Sequence, residues 1–510
     1  MRLTLLFGLF TLPLAALDCG ALTDLALPDI RITETTASPG DRARPETALP
    51  DGVPARGSAV TVPHCRVAGV VGDEINFEML LPDDWNGKFI QAGAGGFAGS
   101  VGRPGQFANR GYATAATDTG HQANGIRAGW AHGHPERVVN YGYLGVHRTA
   151  ETAKAIIRAY YGDPARYSYF HGCSNGGRQA LMEAQRYPQD FDGIVAGAPA
   201  NDFTGVMAGF LYNMQRIFPD PADVENPVIT PDNRKLLQST ILERCDKIDG
   251  LADGILDDPR ECGFKVEDLP LCSGAAAAHC VTVQQREAIR AVYDGPQNQD
   301  GQIYPGFPLG GEAGRGAWQS WITGPSPSLM KAFHEPSSQY GFSTQGFKYL
   351  MLDDAEWDYR GYDFSTFERD SAQLRSVADA TDPGLEGLKK AGGKLILWHG
   401  WTDSALTAYG SINYFEEAEE RDPSIRDHFR LFMMPGVFHC AGGPGPDRVD
   451  WVTEIEKWVE NGEAPQEPTA YRVADGKVAL ARPLCVYPER AVYTGSGTGT
   501  ETGHFECRIP

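Results

Sequence analysis

Ser174 stands in the segment Gly172-Cys173-Ser174-Asn175-Gly176, between a β-rich run at Tyr167–His171 and a helical run at Arg178–Arg186. A serine in Gly-x-Ser-x-Gly at a strand-to-helix turn can be presented as a nucleophile. Small flanking residues permit the sharp turn, and the helix behind supplies free amides and partial positive charge. Gly-x-Ser-x-Gly also occurs in ordinary glycine turns, and the strand and helix on either side are what favour the nucleophile reading. A serine hydroxyl is a weak nucleophile and needs a base oriented by a carboxylate. Two later segments supply both. Asp403 follows the apolar run Lys394–Trp398, and His439 follows the apolar run Phe429–Met433. The chain order Ser, Asp, His, with each residue just after a strand, is that of one triad template. His399 also follows a strand, but it precedes Asp403, so a structural role suits it better.

A tetrahedral intermediate also needs two amides facing its oxyanion. The residue after the nucleophile, Asn175, should offer one. The Gly-rich loop Gly93-Ala94-Gly95-Gly96, which follows a strand at Lys88–Gln91, should offer the other through Gly96. A phosphate loop is disfavoured because the Gly-Lys-Ser/Thr ending is absent. Cys173 precedes Ser174 directly and Cys440 follows His439 directly. Joined, they would tie the nucleophile turn to the histidine loop. Unjoined, they are two buried thiols.

These residues need a scaffold that ends several strands side by side. Strands are expected at Phe77–Leu81, Lys88–Gln91, Tyr112–Ala116, Tyr167–His171, Asp192–Ala198, Lys394–Trp398 and Phe429–Met433. Helices are expected at Arg148–Tyr161, Arg178–Arg186, Ile412–Glu420 and Trp451–Val459, from apolar residues at helical spacing. Strands alternating with helices imply an α/β protein with a parallel, doubly wound sheet. With the triad order, this predicts an α/β-hydrolase core. The alternation weakens at 202–382, which is expected to be an inserted lid domain. Residues 17–201 and 383–510 then form the two parts of the core, and residues 17–66 read as an irregular N-terminal arm.

The chain has 510 residues and a net charge of −21, with 42% hydrophobic and 22% charged residues. That balance suits a soluble globular protein and argues against nucleic acid, whose phosphates need clustered Lys and Arg. Residues 1–16 carry Arg2, an apolar run and a small-residue end, the pattern of a secretory signal peptide. A secreted or periplasmic protein with no membrane span is expected; the oligomeric state is left open. Ten cysteines behind such a segment suggest disulfides, and no Cys-x-x-Cys pair is present. Proximity in sequence suggests Cys245 with Cys262, Cys272 with Cys280, and Cys485 with Cys507.

The combination of Cys173-Ser174, Asp403 and His439-Cys440 resembles the tannase and feruloyl esterase family, which includes mono(2-hydroxyethyl) terephthalate hydrolases. Thr117–His121, Gly172–Arg178, Asp192–Pro199 and His439–Pro446 match its style, and the similarity runs from about Cys19 to Cys507. The resemblance implies the disulfides Cys19–Cys65, Cys173–Cys440, Cys245–Cys262, Cys272–Cys280 and Cys485–Cys507. It also implies a structural Ca²⁺ held by side chains of Asp246, Asp249 and Asp253 and carbonyls of Leu251 and Ile255. Carboxylates alternating with glycines in a tight loop suit such a hard cation, although the spacing is not that of an EF-hand.

The activity implied is hydrolysis of small aromatic-acid esters, of feruloyl or tannase type, whose alcohol could be a plant polysaccharide. Lid aromatics that could hold the ring include Trp318, Phe333 and Tyr340, with Trp321 and Phe342 preferred. A terephthalate half-ester carries a carboxylate, for which arginine is the natural partner. No arginine lies between Arg315 and Arg360, which favours a neutral acyl group, with Lys331 or Lys348 as the alternative cations. A rival reading from another class is an inactive hydrolase fold that binds phenolics or glycans.

Overall fold

The computed structural model describes residues 17–41, 53–54, 59–102, 104–274 and 276–509. The expected signal segment, 1–16, lies outside the described residues. Nine strands form one sheet: β1 (Ile30–Ser38), β2 (His64–Val71), β3 (Ile75–Pro82), β4 (Lys88–Ala92), β5 (Ala113–Thr117), β6 (Tyr167–Cys173), β7 (Gly193–Gly197), β8 (Lys394–Gly400) and β9 (Phe429–Met434). Their spatial order is β1-β2-β3-β5-β4-β6-β7-β8-β9. From β5 to β9 every neighbouring pair is parallel. Parallel strands are covered on both faces, so they read as unbroken apolar or small-residue runs. β5 (Ala-Thr-Ala-Ala-Thr) and β7 (Gly-Ile-Val-Ala-Gly) are buried at every position.

Helices α1 (Gly145–Tyr161), α2 (Asn175–Arg186), α8 (Ala408–Arg421) and α9 (Trp451–Asn461) flank the sheet. Between β7 and β8 the described residues add no strand to it. They form α3 (Phe203–Ile217), α4 (Pro231–Cys245), α5 (Val283–Asp294), α6 (Ser338–Gln345) and α7 (Phe367–Ala378), joined by long irregular stretches that carry shorter helices and a small hairpin, Gln297–Asn298 with Gly301–Gln302. Their apolar residues make a second core that also takes in Phe97, Trp130 and Tyr141 from the sheet side. The segment leaves and returns at one place. Ala380 donates its N–H to the carbonyl of Asn201 at 2.8 Å, and Asp379 accepts from Thr204 N at 2.9 Å.

Two expectations are corrected. Residues 17–66 are not an irregular arm: β1 and the start of β2 lie within them, paired antiparallel. The β1 run Ile-Arg-Ile-Thr-Glu-Thr-Thr-Ala-Ser is a half-exposed edge strand, so burial never imposed an apolar pattern on it. The sheet is also mixed rather than wholly parallel, because β1, β2, β3 and β5 pair antiparallel in that order. After α9 the chain adds two hairpins, β10 (Thr469–Ala474) with β11 (Lys477–Pro483) and β12 (Arg490–Tyr493) with β13 (Phe505–Arg508).

Candidate active site

The chain turns from β6 into α2 at Ser174, whose φ of 66° and ψ of −126° lie outside the regions a non-glycine residue favours. Glycines make that turn possible. A Cβ on Gly172 would fall 2.4 Å from the Gly176 carbonyl oxygen, and one on Gly177 would fall 2.3 Å from that of Gly197. β8 and β9 end beside β6 and β7, and their following loops carry Asp403 and His439. His439 Nε2 lies 2.9 Å from Ser174 Oγ, and its Nδ1 lies 2.8 Å from Asp403 Oδ2. Asp403 is buried and also accepts from Ala405 N at 2.7 Å and Leu406 N at 3.0 Å. Burial alone would raise its carboxyl, but the His439 charge and hydrogen bonds from His399 and His439 hold it well below the usual carboxylate range.

His399 is buried, as the structural reading requires. Its Nδ1 meets Ser411 Oγ at 2.8 Å, and its Nε2 sits 3.1 Å from the Leu406 carbonyl and 3.3 Å from Asp403 Oδ2. It braces the same Asp403 oxygen that His439 meets. Cys173 and Cys440 form a disulfide, with Cα atoms 6.0 Å apart. The other four bonds are Cys19–Cys65, Cys245–Cys262, Cys272–Cys280 and Cys485–Cys507, the set implied by the family resemblance.

Gly96 and Asn175 both line the cavity at Ser174. Asn175 opens α2, so its N–H has no helical acceptor behind it. The loop bearing Gly96 is pinned residue by residue. Gly93 N donates to His171 O at 2.9 Å, Ala94 N donates to Gln179 Oε1 at 2.9 Å, and Asn175 Nδ2 donates to Ala94 O at 3.0 Å. His121 Nε2 meets the Phe97 carbonyl at 2.9 Å, with its ring stacked on Trp130. Burial pushes the His121 imidazole down to about 4, so it stays neutral. The Tyr141 hydroxyl lies 3.0 Å from both the Gly96 carbonyl and Asn175 Oδ1.

Arg178 is fully buried. It donates to Asn175 Oδ1 at 2.8 Å and to the carbonyls of Gly142, Tyr141 and Ala378. One guanidinium thus links α2, the segment before α1 and the end of α7. Sequence reasoning missed Tyr141, Arg178, Gln179 and His121 as parts of the site. Arg178 and Gln179 lay one turn past Ser174 and could have been suspected, but nothing local singles out Tyr141.

The cavity is further lined by Phe97, Ala200, Phe203, Val206, Met207 and Phe210, and by Trp321, Phe342, Ala405 and Leu406. Among the described residues that line it there is no Lys, Arg, Asp or Glu. Trp321 and Phe342 lie with ring planes 9° apart and centroids 6.3 Å apart, and Trp321 sets its edge toward His439 at 4.9 Å. The other aromatics considered do not reach the cavity. Trp318 is buried in the second core, Tyr340 packs on Phe218 and Tyr359, and Phe333 lies under Arg127. Lys331 is exposed, and Lys348 donates to the Ala355 carbonyl at 3.0 Å.

The loop 246–255 turns at Gly250 and Gly254, both with positive φ. Asp246, Asp249 and Asp253 each accept a backbone N–H through Oδ1, from Gly254, Leu251 and Ile255 respectively. Each keeps Oδ2 for another partner. Asp249 Oδ2 is buried with no hydrogen-bond partner, while Asp253 Oδ2 pairs with Arg482. An all-oxygen set with one orphaned buried carboxylate oxygen fits a hard cation. Burial, with Asp253 and Asp246 nearby, pushes the Asp249 carboxyl up to about 6.

A strained serine between strand and helix, with a histidine and carboxylate on later strand ends, defines an α/β-hydrolase. The chain belongs to the tannase and feruloyl esterase family, whose model matches residues 58–508, and is an esterase of that family. An uncharacterized esterase of Xanthomonas campestris pv. campestris is 35% identical over 98% of this chain and 92% of its own length. The mono(2-hydroxyethyl) terephthalate hydrolase of Piscinibacter sakaiensis is 32% identical over 90% of this chain and 87% of its own. The crystal structure of feruloyl esterase B from Aspergillus oryzae has the same fold, with a TM-score of 0.84 at 24% identity over 96% of this chain and 99% of that one.

Proposed function

We propose that the protein hydrolyses esters of neutral aromatic acids, of the feruloyl or galloyl kind, through a Ser174–His439–Asp403 triad. The observation that carries this reading is His439 within hydrogen-bond reach of both Ser174 and Asp403, beside a cavity whose lining holds aromatic rings and no charged partner. His439 takes the Ser174 proton as Oγ attacks the ester carbonyl, and Asp403 stabilises the imidazolium. The amides of Gly96 and Asn175 hold the oxyanion. His439 then protonates the departing alcohol. Water, deprotonated by His439, releases the acid from the acyl-enzyme.

Trp321 and Phe342 would hold the acyl ring, and residues 202–382 would act as the lid that supplies them. A Ca²⁺ held by Asp246, Asp249 and Asp253, with the carbonyls of Leu251 and Ile255, would brace the loop inside the Cys245–Cys262 bond. Five disulfides support export to an oxidising compartment, periplasmic or extracellular, after loss of residues 1–16.

A panel of methyl ferulate, methyl gallate and mono(2-hydroxyethyl) terephthalate tests the reading. Turnover of a neutral ester well above the terephthalate half-ester is expected, with loss of turnover in Ser174→Ala. Preference for the half-ester would overturn the neutral-acyl assignment. Fluorophosphonate labelling that persists in Ser174→Ala would overturn the nucleophile. No hydrolysis of any of the three would favour a binding protein on this fold.

A further inference from the structure

Toward the far end of α2, away from the residues that line the cavity, three side chains from different segments converge. They are His147 on α1, Glu183 on α2, and Asp190 in the loop leading to β7. Each can offer one ligand atom, an imidazole nitrogen or a carboxylate oxygen, and these atoms lie within 4.8 Å of one another. Glu183 is fully buried, yet neither of its carboxylate oxygens has a hydrogen-bond partner among the described residues. A buried carboxylate without donors is costly, and a coordinated cation is one of the few things that relieves it.

The histidine is arranged as a ligand. Its Nδ1 faces Asp190 Oδ2 at 2.6 Å, on the side of the two acids. Its Nε2 faces Glu151 Oε2 at 3.5 Å, so a carboxylate stands ready to receive the remaining N–H. That outer carboxylate orients a metal-bound imidazole and makes it more basic. Tyr187 stacks on the ring at 3.7 Å between centroids and 5° between planes, which limits its rotation.

We propose that His147, Glu183 and Asp190 form a binding site for a borderline divalent transition ion of the Zn²⁺ type. One nitrogen and two carboxylate oxygens suit such an ion, whereas Ca²⁺ seeks six or more oxygens. The side chains of His147 and Asp190 are 20% and 13% exposed, which gives the ion an entry path and a place for water in a fourth position. The bound ion would fasten α1, α2 and the approach to β7 behind the nucleophile helix. One cation opposes it. Lys154 donates to the Asp190 carbonyl and lies over the Phe191 ring, and its charge acts on Glu183.

The test uses the full-length mature protein without a polyhistidine tag and with Ca²⁺ saturating. Co²⁺ is titrated by visible absorption and Zn²⁺ by calorimetry. One equivalent should bind with a low-symmetry Co²⁺ spectrum. His147→Ala and Glu183→Gln should each weaken it by about tenfold or more. Lys154→Met should tighten it by about threefold, because a like charge is removed. Absence of a Co²⁺ spectrum in the wild type, or the same affinity in His147→Ala, would overturn the site. Weaker binding in Lys154→Met would place the ion elsewhere and count against it equally. His147 is half-buried, so its alanine variant tests the idea even where Glu183→Gln folds poorly.

Discussion

Cys173 is bonded to Cys440 across 267 residues of chain, so the residue before Ser174 and the residue after His439 are one covalent unit. Ser174 and Cys440 both have positive φ, 66° and 59°, so the bond joins two turns held in unfavourable backbone regions. The distance between Nε2 and Oγ is thereby fixed by covalent structure as well as by packing.

Replacing both cysteines with alanine should therefore cost more than stability. The chain-entropy model assigns a loop of this length on the order of 5 kcal/mol, so the urea midpoint should fall. Turnover of the preferred ester should fall by about tenfold or more under conditions where circular dichroism reports a folded protein, because nucleophile and base lose their fixed separation. Unchanged kcat in the folded double variant would separate the bond from catalysis.

Tyr141→Phe removes one hydroxyl that lies between Gly96 O and Asn175 Oδ1, the two sides of the expected oxyanion hole. The ring still fills its place between Phe97, Trp130 and Phe203. A drop of about tenfold in kcat with KM within about threefold is the expected split, since the oxyanion is absent from the bound ester and develops only in the tetrahedral intermediate and the transition states beside it. An equal change in kcat and KM for a range of esters, or none, would show that the hydroxyl serves packing alone.

His121 supplies a pH dependence of stability. In the folded protein its imidazole is held down at about 4, against 6.5 unperturbed. The unfolded chain therefore takes up a proton first as pH falls. The stability is fully present above about 6.5 and is lost between 6.5 and 4, by up to about 3 kcal/mol. Asp118, raised to about 6 by burial, works in the opposite sense over an overlapping window, adding stability as pH falls. The measurement is the difference between wild type and His121→Asn, in which the Asp118 contribution cancels. Urea midpoints at pH 7 and pH 4.5 should converge between the two proteins on acidification. Parallel profiles would mean that His121 titrates normally.

Calcium removal gives the fourth test. Dialysis against EGTA should lower the melting temperature and addition of Ca²⁺ should restore it. Asp249→Asn should have the lower melting temperature from the start and respond weakly to Ca²⁺, because it removes the carboxylate with the orphaned oxygen. A melting temperature indifferent to EGTA would remove the ion from this loop.

The cluster of Ser174, Asp403 and His439 was legible because each of its members is announced locally. Ser174 carries glycines nearby on both sides, and Asp403 and His439 each follow a mostly apolar strand within a few residues. Burial on both faces of a parallel strand writes itself into consecutive residues, as in β8 with Leu395, Ile396 and Leu397. β1 was missed for the converse reason: an edge strand is held by backbone hydrogen bonds, and its side chains, mostly polar, carry no period. The aromatics of residues 202–382 could be named but not sorted, since a ring facing a cavity and a ring facing a core have the same chemistry. Trp318 and Trp321 are three residues apart, and only the second reaches His439.

By itself the sequence determined the strand-to-helix turn at Ser174, the order of Ser174, Asp403 and His439 after their strands, the cysteine count and the alternation of strand and helix. Each of these is a property of near neighbours in the chain. The tertiary structure alone decided what surrounds them. Tyr141 reaches Gly96 and Asn175 over 45 and 34 residues of chain, and Arg178 reaches Ala378 over 200. Such contacts leave no local signal, because any tyrosine or arginine could make them and only the packing of α2 against the Gly96 loop and the end of α7 chooses which one does.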